Sequence, residues 1–408
     1  MILDDARTVL SEGYVCDHCL GRLFGMLSTG LSNNERGKAI RTVLALEDDV
    51  REEQPLNAHD ECWICNGLFK QLNEWAERAI SALEGYEFDT YLVGTHLPGM
   101  LAASEELAWS MLSELHAEPM KAELNREVGK LIGEATGKSV EFEHPDVVVL
   151  LEVGERAVDV NASPVFIMGR YRKFLRGIPQ TRWPHRACKG KGCEECGFTG
   201  KQYPESVDEL ISAPVLGAFL SQDTTFHGSG REDIDARMLG RGRPFVLEVV
   251  APKRRSAELK GLERAINEHA DGKVEVEGLT YTTRGSVGRL KAAKYPKRYS
   301  FVVMLDEEVS REQLCCALEA LTATVISQQT PKRVAHRRAD KIRERHVYEA
   351  ELKALDGKKA HMELRCESGT YVKELISGDE ERTNPSLSGL LSVGAVVCEL
   401  DVLDVEDD

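Results

Sequence analysis

Apolar residues recur along the chain with two spacings, one typical of helices and one typical of strands. In the first part of the chain the helical spacing covers 104–115 and 120–132, and short strand-like runs cover 91–94, 146–153 and 158–160. Residues 1–75 predict short helices. The pattern therefore predicts a helical region, 1–75, followed by a small α/β module, 76–168.

Strand-like runs outnumber helical runs in the rest of the chain. The predicted strands are 245–250, 273–277, 299–305, 322–328, 347–354, 359–366 and 396–400, and the predicted helices are 207–220, 254–269, 310–321 and 370–376. So many strands with few helices between them indicate an α+β domain, 169–408, with a mixed, mainly antiparallel sheet flanked by helices. Its first part, 169–201, shows little apolar periodicity and predicts a long basic loop.

Composition narrows the class of protein. The chain has 408 residues with no apolar run of about 18 residues that could span a bilayer and no signal-like N-terminus, so we expect a cytoplasmic protein without a membrane partner. No segment has the heptad pattern of an obligate interface, which favours a monomer. Eleven cysteines in a reducing compartment favour metal binding over disulfides.

The net charge of −16 argues against a nucleic-acid partner, but the distribution of charge reverses that conclusion. Residues 170–201 hold nine Lys or Arg against two acids, 284–298 hold six against none, and 332–345 hold seven against two. Any one stretch is typical of a solvated face. Three of them together favour a surface that binds a polyanion.

Two groups of cysteines have the spacing of metal ligands. Cys16-x-x-Cys19 and Cys62-x-x-Cys65 form two pairs that suit a tetrahedral zinc with four thiolates, which would stabilise a region poor in apolar residues. The alternative is four buried reduced cysteines. A second candidate site comprises His185, Cys188, Cys193 and Cys196, for which an unmetallated flexible loop is an equal alternative.

A glycine-rich segment, 230–240, carries the strongest candidate for chemistry. Asp233 lies there between Arg231 and Arg237, just before the apolar run 245–250. A carboxylate flanked by cations at the junction of a strand and a loop suits an ionised nucleophile or base. The alternative is a surface turn with incidental ion pairs.

Two further motifs are compatible with binding a base. Tyr299 follows two cations at the start of an apolar strand, where it would stack on a base or belong to the core. The segment Gly369-Thr370-Tyr371-Val372-Lys373 predicts a strand-to-helix turn that directs Lys373 towards the edge of the sheet, although a surface lysine is the simpler interpretation.

The order of these motifs, together with the segment 169–183, resembles the archaeal tRNA pseudouridine synthases that act on uridines 54 and 55 of the T loop. The resemblance implies a zinc-containing region, 1–75, a THUMP-like RNA-binding module, 76–168, and a catalytic domain with the pseudouridine-synthase fold, 169–408. It also implies structural zinc, no organic cofactor, the T arm of tRNA as partner and no obligate protein partner.

The resemblance assigns roles to individual residues. Asp233 would be the catalytic carboxylate, oriented by Arg231 and Lys373, while Tyr299 would stack on the uracil and assist proton transfer. Tyr371, Val372 and Leu400 would line the pocket. A basic thumb-like loop would grip the tRNA through Arg170, Arg172, Lys173 and Arg176.

Two other classes of function make different predictions. A non-catalytic, zinc-containing tRNA-binding protein would keep its function when Asp233 is replaced by asparagine. An N-glycosidase would use Asp235 as a second acid and release free uracil, whereas an isomerase retains the base.

Overall fold

The computed structural model describes residues 2–47, 61–335 and 339–407. Within these ranges the chain forms two compact units that divide between Ser163 and Pro164. The boundary predicted at 168/169 lies inside a strand of the second unit. Residues 48–60 of the predicted zinc-containing region lie outside the described residues.

The first unit combines helices with a four-stranded sheet. Its helices are α1 (Ile2–Ser11), α2 (Asp17–Arg22), α3 (Asn33–Glu47), α4 (Leu72–Leu83), α5 (Gly99–Ser110) and α6 (Met120–Thr136), and its strands are β1 (Thr90–His96), β2 (Ser139–Val140), β3 (Val147–Glu152) and β4 (Ala157–Ala162). The strand order is β2-β1-β3-β4, with β1 parallel to both neighbours and β3 antiparallel to β4.

One apolar core runs through this unit, from Val9 of α1 to Leu151 of β3. The cysteines Cys16 and Cys19 belong to the same buried cluster. The cysteine-containing helices and the α/β module therefore share a core and form one compact unit.

The second unit is built on an eight-stranded sheet. Its helices are α7 (Val207–Phe219), α8 (Leu259–His269), α9 (Arg284–Ala292), α10 (Arg311–Ala323), α11 (Val372–Ser377) and α12 (Leu387–Leu391). Its strands are β5 (Val165–Lys173), β6 (Asp223–Gly228), β7 (Ala236–Val250), β8 (Val274–Thr282), β9 (Lys297–Leu305), β10 (Ile326–Gln329), β11 (Ile342–Arg345), β12 (Val347–Asp356), β13 (Lys359–Cys366), β14 (Thr383–Asn384) and β15 (Ala395–Val405).

The strand order of the large sheet is β12-β13-β9-β15-β7-β5-β8, and β6 pairs with β7. Strands β7 and β15 pair in parallel, and the other pairings of this sheet are antiparallel among the described residues. Strands β10, β11 and β14 form a separate small sheet. The predicted mixed, mainly antiparallel architecture is confirmed.

Strand β5 is the largest departure from the sequence prediction, which placed a loop from residue 169. Its side chains alternate between interior and surface, but Lys173 occupies one of the interior positions. A buried lysine hides the apolar alternation that identifies a strand. The prediction of a strand at 322–328 is also partly wrong, because α10 continues to Ala323 and the strand begins at Ile326.

Candidate active site

The segment 229–235, called the aspartate loop below, connects β6 to β7. Its two ends are held by backbone hydrogen bonds, from Ser229 N to Pro244 O (3.0 Å) and from Ala236 N to Asp233 O (3.0 Å). Gly230 has a φ of 77°, and a Cβ atom there would lie 3.3 Å from both the Arg243 Nη1 and the Lys297 Nζ atoms. Glycine therefore satisfies both the backbone conformation and the close packing of this loop.

Asp233 pairs with two cations from other parts of the second unit. Its Oδ1 atom lies 2.9 Å from Arg333 Nη1, and its Oδ2 atom lies 3.6 Å from Lys373 Nζ. The Asp233 side chain is 30% exposed. The carboxylate is thus held in place by cations and remains partly exposed.

Lys373 divides its charge between two aspartates. Its Nζ atom lies 2.9 and 2.7 Å from the two carboxylate oxygens of Asp235, closer than to Asp233. Burial opposes ionisation of Asp235, but the hydrogen bond and charge of Lys373 lower the pKa of that carboxyl overall. Asp235 therefore competes with Asp233 for Lys373.

Arg333 is a site residue that the sequence analysis missed. It lies in a 3₁₀ turn, Lys332–Val334, and its Nε atom donates to Glu374 Oε1 at 2.6 Å. Its guanidinium also lies over the Tyr371 ring, 5.9 Å from the centroid. Although burial disfavours its charge, Glu374 and Asp233 raise the pKa of Arg333, so it remains a cation. The basic stretch 332–345 was the available signal, but it did not single out this arginine.

Arg231, predicted to orient Asp233, contacts an aromatic ring. Its guanidinium lies over the Trp183 ring, 4.9 Å from the centroid. Among the described residues, Arg333 and Lys373 are the cations that the structure shows in ion pairs with Asp233.

An apolar surface of β9, β15 and α11 belongs to the same part of the unit. Leu400 and Val372 are buried in one cluster, against which Tyr299 packs. Leu400 pairs with Ala236, the first residue after the aspartate loop, and Val402 pairs with Tyr299. Burial, together with the nearby Cys366 and Asp233 groups, raises the pKa of the Tyr299 phenol, which therefore stays protonated at neutral pH.

The predicted RNA-gripping residues face their own chain. Arg170 donates to the carbonyls of Arg241, Gly242 and Val405, and Arg172 pairs with Glu275 and Glu277. Their side chains are 21% and 26% exposed. Both are strand residues that tie β5 to its surroundings, and their contact with tRNA stays a prediction.

Lys173 and Arg176 instead support the aspartate loop. The Lys173 Nζ atom donates to the carbonyls of Ile178 (2.8 Å), Asp233 (3.3 Å) and Ile234 (3.2 Å), and Arg176 donates to the carbonyls of Asp235 (2.8 Å) and Leu400 (2.6 Å). Lys173 is fully buried. The prediction that it grips tRNA is therefore wrong, since a fully buried amine cannot reach a phosphate.

Within the described part of the chain, two clusters have the donors of a zinc site. The first comprises Cys16, Cys19, Cys62 and Cys65, whose sulfur atoms lie within 4.8 Å of one another. A tetrahedral zinc with bonds of about 2.3 Å to sulfur needs sulfur atoms about 3.8 Å apart, and Cys16 and Cys65 are separated by 3.7 Å. The four thiols fit a structural metal ion.

The second cluster comprises His185, Cys188, Cys193 and Cys196. His185 Nδ1 lies 3.6 Å from Cys188 Sγ and 3.5 Å from Cys193 Sγ, and the sulfur atoms of Cys193 and Cys196 are 3.7 Å apart. Backbone N–H groups of Gly192, Cys193 and Gly200 point at these sulfurs at 3.3 Å. Such donors stabilise thiolates, so this cluster also fits a metal ion.

Comparison with known proteins identifies the family. The model described as "Pus10, C-terminal" matches residues 166–406, and "Pus10 THUMP domain, archaeal" matches residues 75–152. The chain belongs to the Pus10 family. The predicted family is thereby confirmed, as is the predicted combination of a THUMP module with a pseudouridine-synthase domain, whereas the uridine positions 54 and 55 stay a prediction.

Relatives in the Pus10 family align over almost the whole chain. The tRNA pseudouridine synthase Pus10 of Methanothrix thermoacetophila is 46% identical, over 99% of this chain and 94% of that protein. The protein of the same name from Halorubrum lacusprofundi is 47% identical, over 100% of this chain and 97% of that protein. The family is thus one of isomerases, as predicted.

A comparison with solved structures finds similarity at lower identity. A Cbf5-Nop10-Gar1 complex has a chain that is 17% identical, with a TM-score of 0.32, over 49% of this chain and 45% of that one. Among the described residues, no helix combines the length and apolarity needed to cross a bilayer.

Proposed function

We propose that this protein isomerises uridine in tRNA to pseudouridine and that Asp233 is the catalytic carboxylate. The observation that supports this most is the pairing of Asp233 with Arg333 and Lys373 in a partly exposed loop of a Pus10-family chain. The two cations orient the carboxylate in the absence of substrate.

The main catalytic group that the reaction requires is a correctly positioned carboxylate. The N1–C1′ bond of uridine breaks, the uracil rotates, and a C5–C1′ bond forms. The proton on C5 is lost and N1 gains one, so no atom is added and no electron is transferred to a cofactor. Asp233 acts on the sugar in its ionised form, as nucleophile or as base.

The surrounding residues complete the pocket in this proposal. Tyr299, with its phenol protonated, stacks on the uracil and assists the transfer of the C5 proton, and Tyr371, Val372 and Leu400 line the space in which the base rotates. An apolar wall strengthens the electrostatic interactions inside the pocket. Arg333 and Lys373 take the orienting role at Asp233.

The proposed substrate is uridine 55, with uridine 54, in the T loop. The order of the sequence motifs supports this choice. A loop uridine must be unstacked before it enters a pocket, which costs a few kcal/mol, about the contribution of stacking on an aromatic ring. The T arm is the proposed partner, while the cytoplasmic location and the monomeric state remain predictions.

Carbodiimide-dependent primer extension on an unmodified tRNA transcript tests this function. The wild-type protein should produce stops at positions 54 and 55, and Asp233→Asn should abolish both. Asp235→Asn is the matched control, because it also removes a carboxylate that pairs with Lys373 and should keep the stops. Tight binding of tRNA by wild type without stops would favour the non-catalytic zinc-containing tRNA-binding protein, and free uracil would favour a glycosidase.

We also propose that both cysteine clusters hold structural zinc. The fit of the donor atoms supports this, and a metal cross-link would lower the free energy of each small folded segment. Metal analysis of the purified protein should find two zinc ions per chain. Cys188→Ser should remove one of them and leave the other, whereas a single zinc in wild type would restrict the proposal to the first cluster.

A further inference from the structure

A cluster of buried charged groups lies beneath the aspartate loop and takes no part in the chemistry proposed above. Its centre is Glu232, the immediate neighbour of Asp233. The Glu232 side chain is fully buried, whereas that of Asp233 is 30% exposed. Two adjacent acids thus occupy opposite environments.

Each oxygen of the Glu232 carboxylate has a donor in the interior. Tyr171 Oη lies 3.0 Å from Oε1 and 2.8 Å from Oε2, and Arg243 Nε donates to Oε2 at 2.9 Å. Lys173 Nζ lies 4.0 Å from Oε1. Arg243 and Lys173 are themselves almost completely buried, so these ion pairs are screened little by solvent.

The two cations that Glu232 attracts are bonded to the two ends of the aspartate loop. Arg243 Nη1 donates to the carbonyl of Ser229 at 2.7 Å. Lys173 Nζ donates to the carbonyls of Asp233 and Ile234. The Glu232 carboxylate therefore connects the two ends of the aspartate loop. Arg243 bridges it to Ser229 at the beginning of the loop, and Lys173 bridges it to the carbonyl of Asp233.

We propose that Glu232 is a positioning residue for Asp233, which acts by orienting Arg243 and Lys173 so that both ends of the aspartate loop are held while the reacting carboxylate faces outwards. The proposal rests on the proposed function, because it assigns Asp233 the catalytic role. A loop carboxylate displaced by about 1 Å loses on the order of 100-fold in rate, which makes such anchoring significant.

The charge balance of the cluster makes the effect sensitive to pH. Burial lowers the pKa of Lys173 and Arg243 adds to this, while Glu232, Asp235 and Asp233 raise it. Removing the charge of Glu232 therefore lowers the pKa of Lys173 further, and Lys173 loses its proton at a lower pH. The alkaline limb of the kcat profile should move to lower pH, since a neutral amine holds the carbonyls less firmly.

The experiment measures kcat, KM for tRNA and the pH profile of Glu232→Gln, which keeps the shape of the side chain and removes its charge. We expect kcat to fall about 100-fold, KM for tRNA to stay near its wild-type value and the alkaline limb to move to lower pH. Tyr171→Phe is the matched control, since it removes a hydrogen bond to the same carboxylate but keeps the charge, and its alkaline limb should stay in place. Glu232→Asp should restore the position of the limb even if it destabilises the protein.

Lys297 is a second buried amine in this region, and burial with the Arg243 charge lowers its pKa to about 8. Glu232 and Cys366 oppose that shift. Introducing Glu232→Gln into a Lys297→Met background distinguishes the contributions of the two lysines to the pH profile. If the alkaline limb of the kcat profile still moves in this background, the shift belongs to Lys173.

The inference is overturned if Glu232→Gln keeps the wild-type kcat and profile, or if it changes only KM. It is also overturned if Glu232→Asp and Glu232→Gln lose the same activity with unmoved limbs, because that result indicates a purely structural role. A wild-type protein that forms no pseudouridine contradicts the proposed function instead, so the two failures are distinguishable.

Discussion

Two basic segments that look alike in sequence have opposite places in the structure. The segment 170–176 turns its four cations towards its own chain, where Lys173 and Arg176 hold the carbonyls of the aspartate loop from below. The segment 332–345 instead supplies Arg333, which reaches the exposed carboxylate of Asp233. The density of positive charge along a sequence therefore does not tell whether a cation bonds to backbone carbonyls or pairs with an exposed carboxylate.

Replacing Lys173, the buried cation beneath the aspartate loop, should have the largest effect on stability and activity. Lys173→Met removes the donor to three carbonyls and leaves Glu232 with one cation fewer, so the free energy of unfolding should fall by about 3–5 kcal/mol, as for a broken buried ion pair. Urea unfolding measures the loss of stability, and pseudouridine formation measures whether the aspartate loop still supports the reaction. An active variant with wild-type stability would show that the inner segment does not support the loop.

Replacing Arg333, the cation that pairs with the partly exposed Asp233 carboxylate, should lower activity more than stability. Arg333→Ala removes a hydrogen bond between charged groups that contributes about 1.5–3 kcal/mol, so kcat should fall about 10- to 100-fold. Arg333→Lys is the matched variant and should recover part of the rate. Unchanged kcat in Arg333→Ala would assign the orientation of Asp233 to Lys373 alone.

Replacing Asp235, which competes with Asp233 for Lys373, should have a smaller effect on kcat. Asp235→Asn frees Lys373 to approach Asp233, because two hydrogen bonds to Asp235 are weakened. We expect kcat within about threefold of wild type, the scale of a partly exposed ion pair. A loss comparable to that of Asp233→Asn in a single-turnover assay would identify Asp235 as a second essential acid.

The smallest effect is expected for Arg172→Ala. Arg172 pairs with Glu275 and Glu277 on β8 and is partly exposed, so stability should change by about 0.5–1 kcal/mol or less. Its KM for tRNA should equal that of wild type. A several-fold rise in KM would return this residue to the RNA-binding role that the sequence analysis assigned to it.

Local patterns predicted well wherever one chemical property dominated a segment. The apolar run 245–250 lies in β7, which has sheet neighbours on both sides, and the cysteine pairs 16/19 and 62/65 converge on one cluster. The strand β5 was not predicted from the sequence, because Lys173 occupies an interior position where an apolar residue would be expected. Arg333 was missed because nothing in its neighbours along the chain indicates Asp233, which lies 100 residues away.

The family follows from the order of the motifs along the chain, and the mainly antiparallel sheet and the candidate carboxylate Asp233 were predicted from residue types at short spacings. Which cations surround that carboxylate depends instead on how the chain folds. Arg231 turns to Trp183, Lys173 is buried beneath the loop, and Arg333 arrives from a distant turn. These outcomes depend on packing between segments far apart in the chain, and a charged side chain takes whichever partners that packing brings within reach.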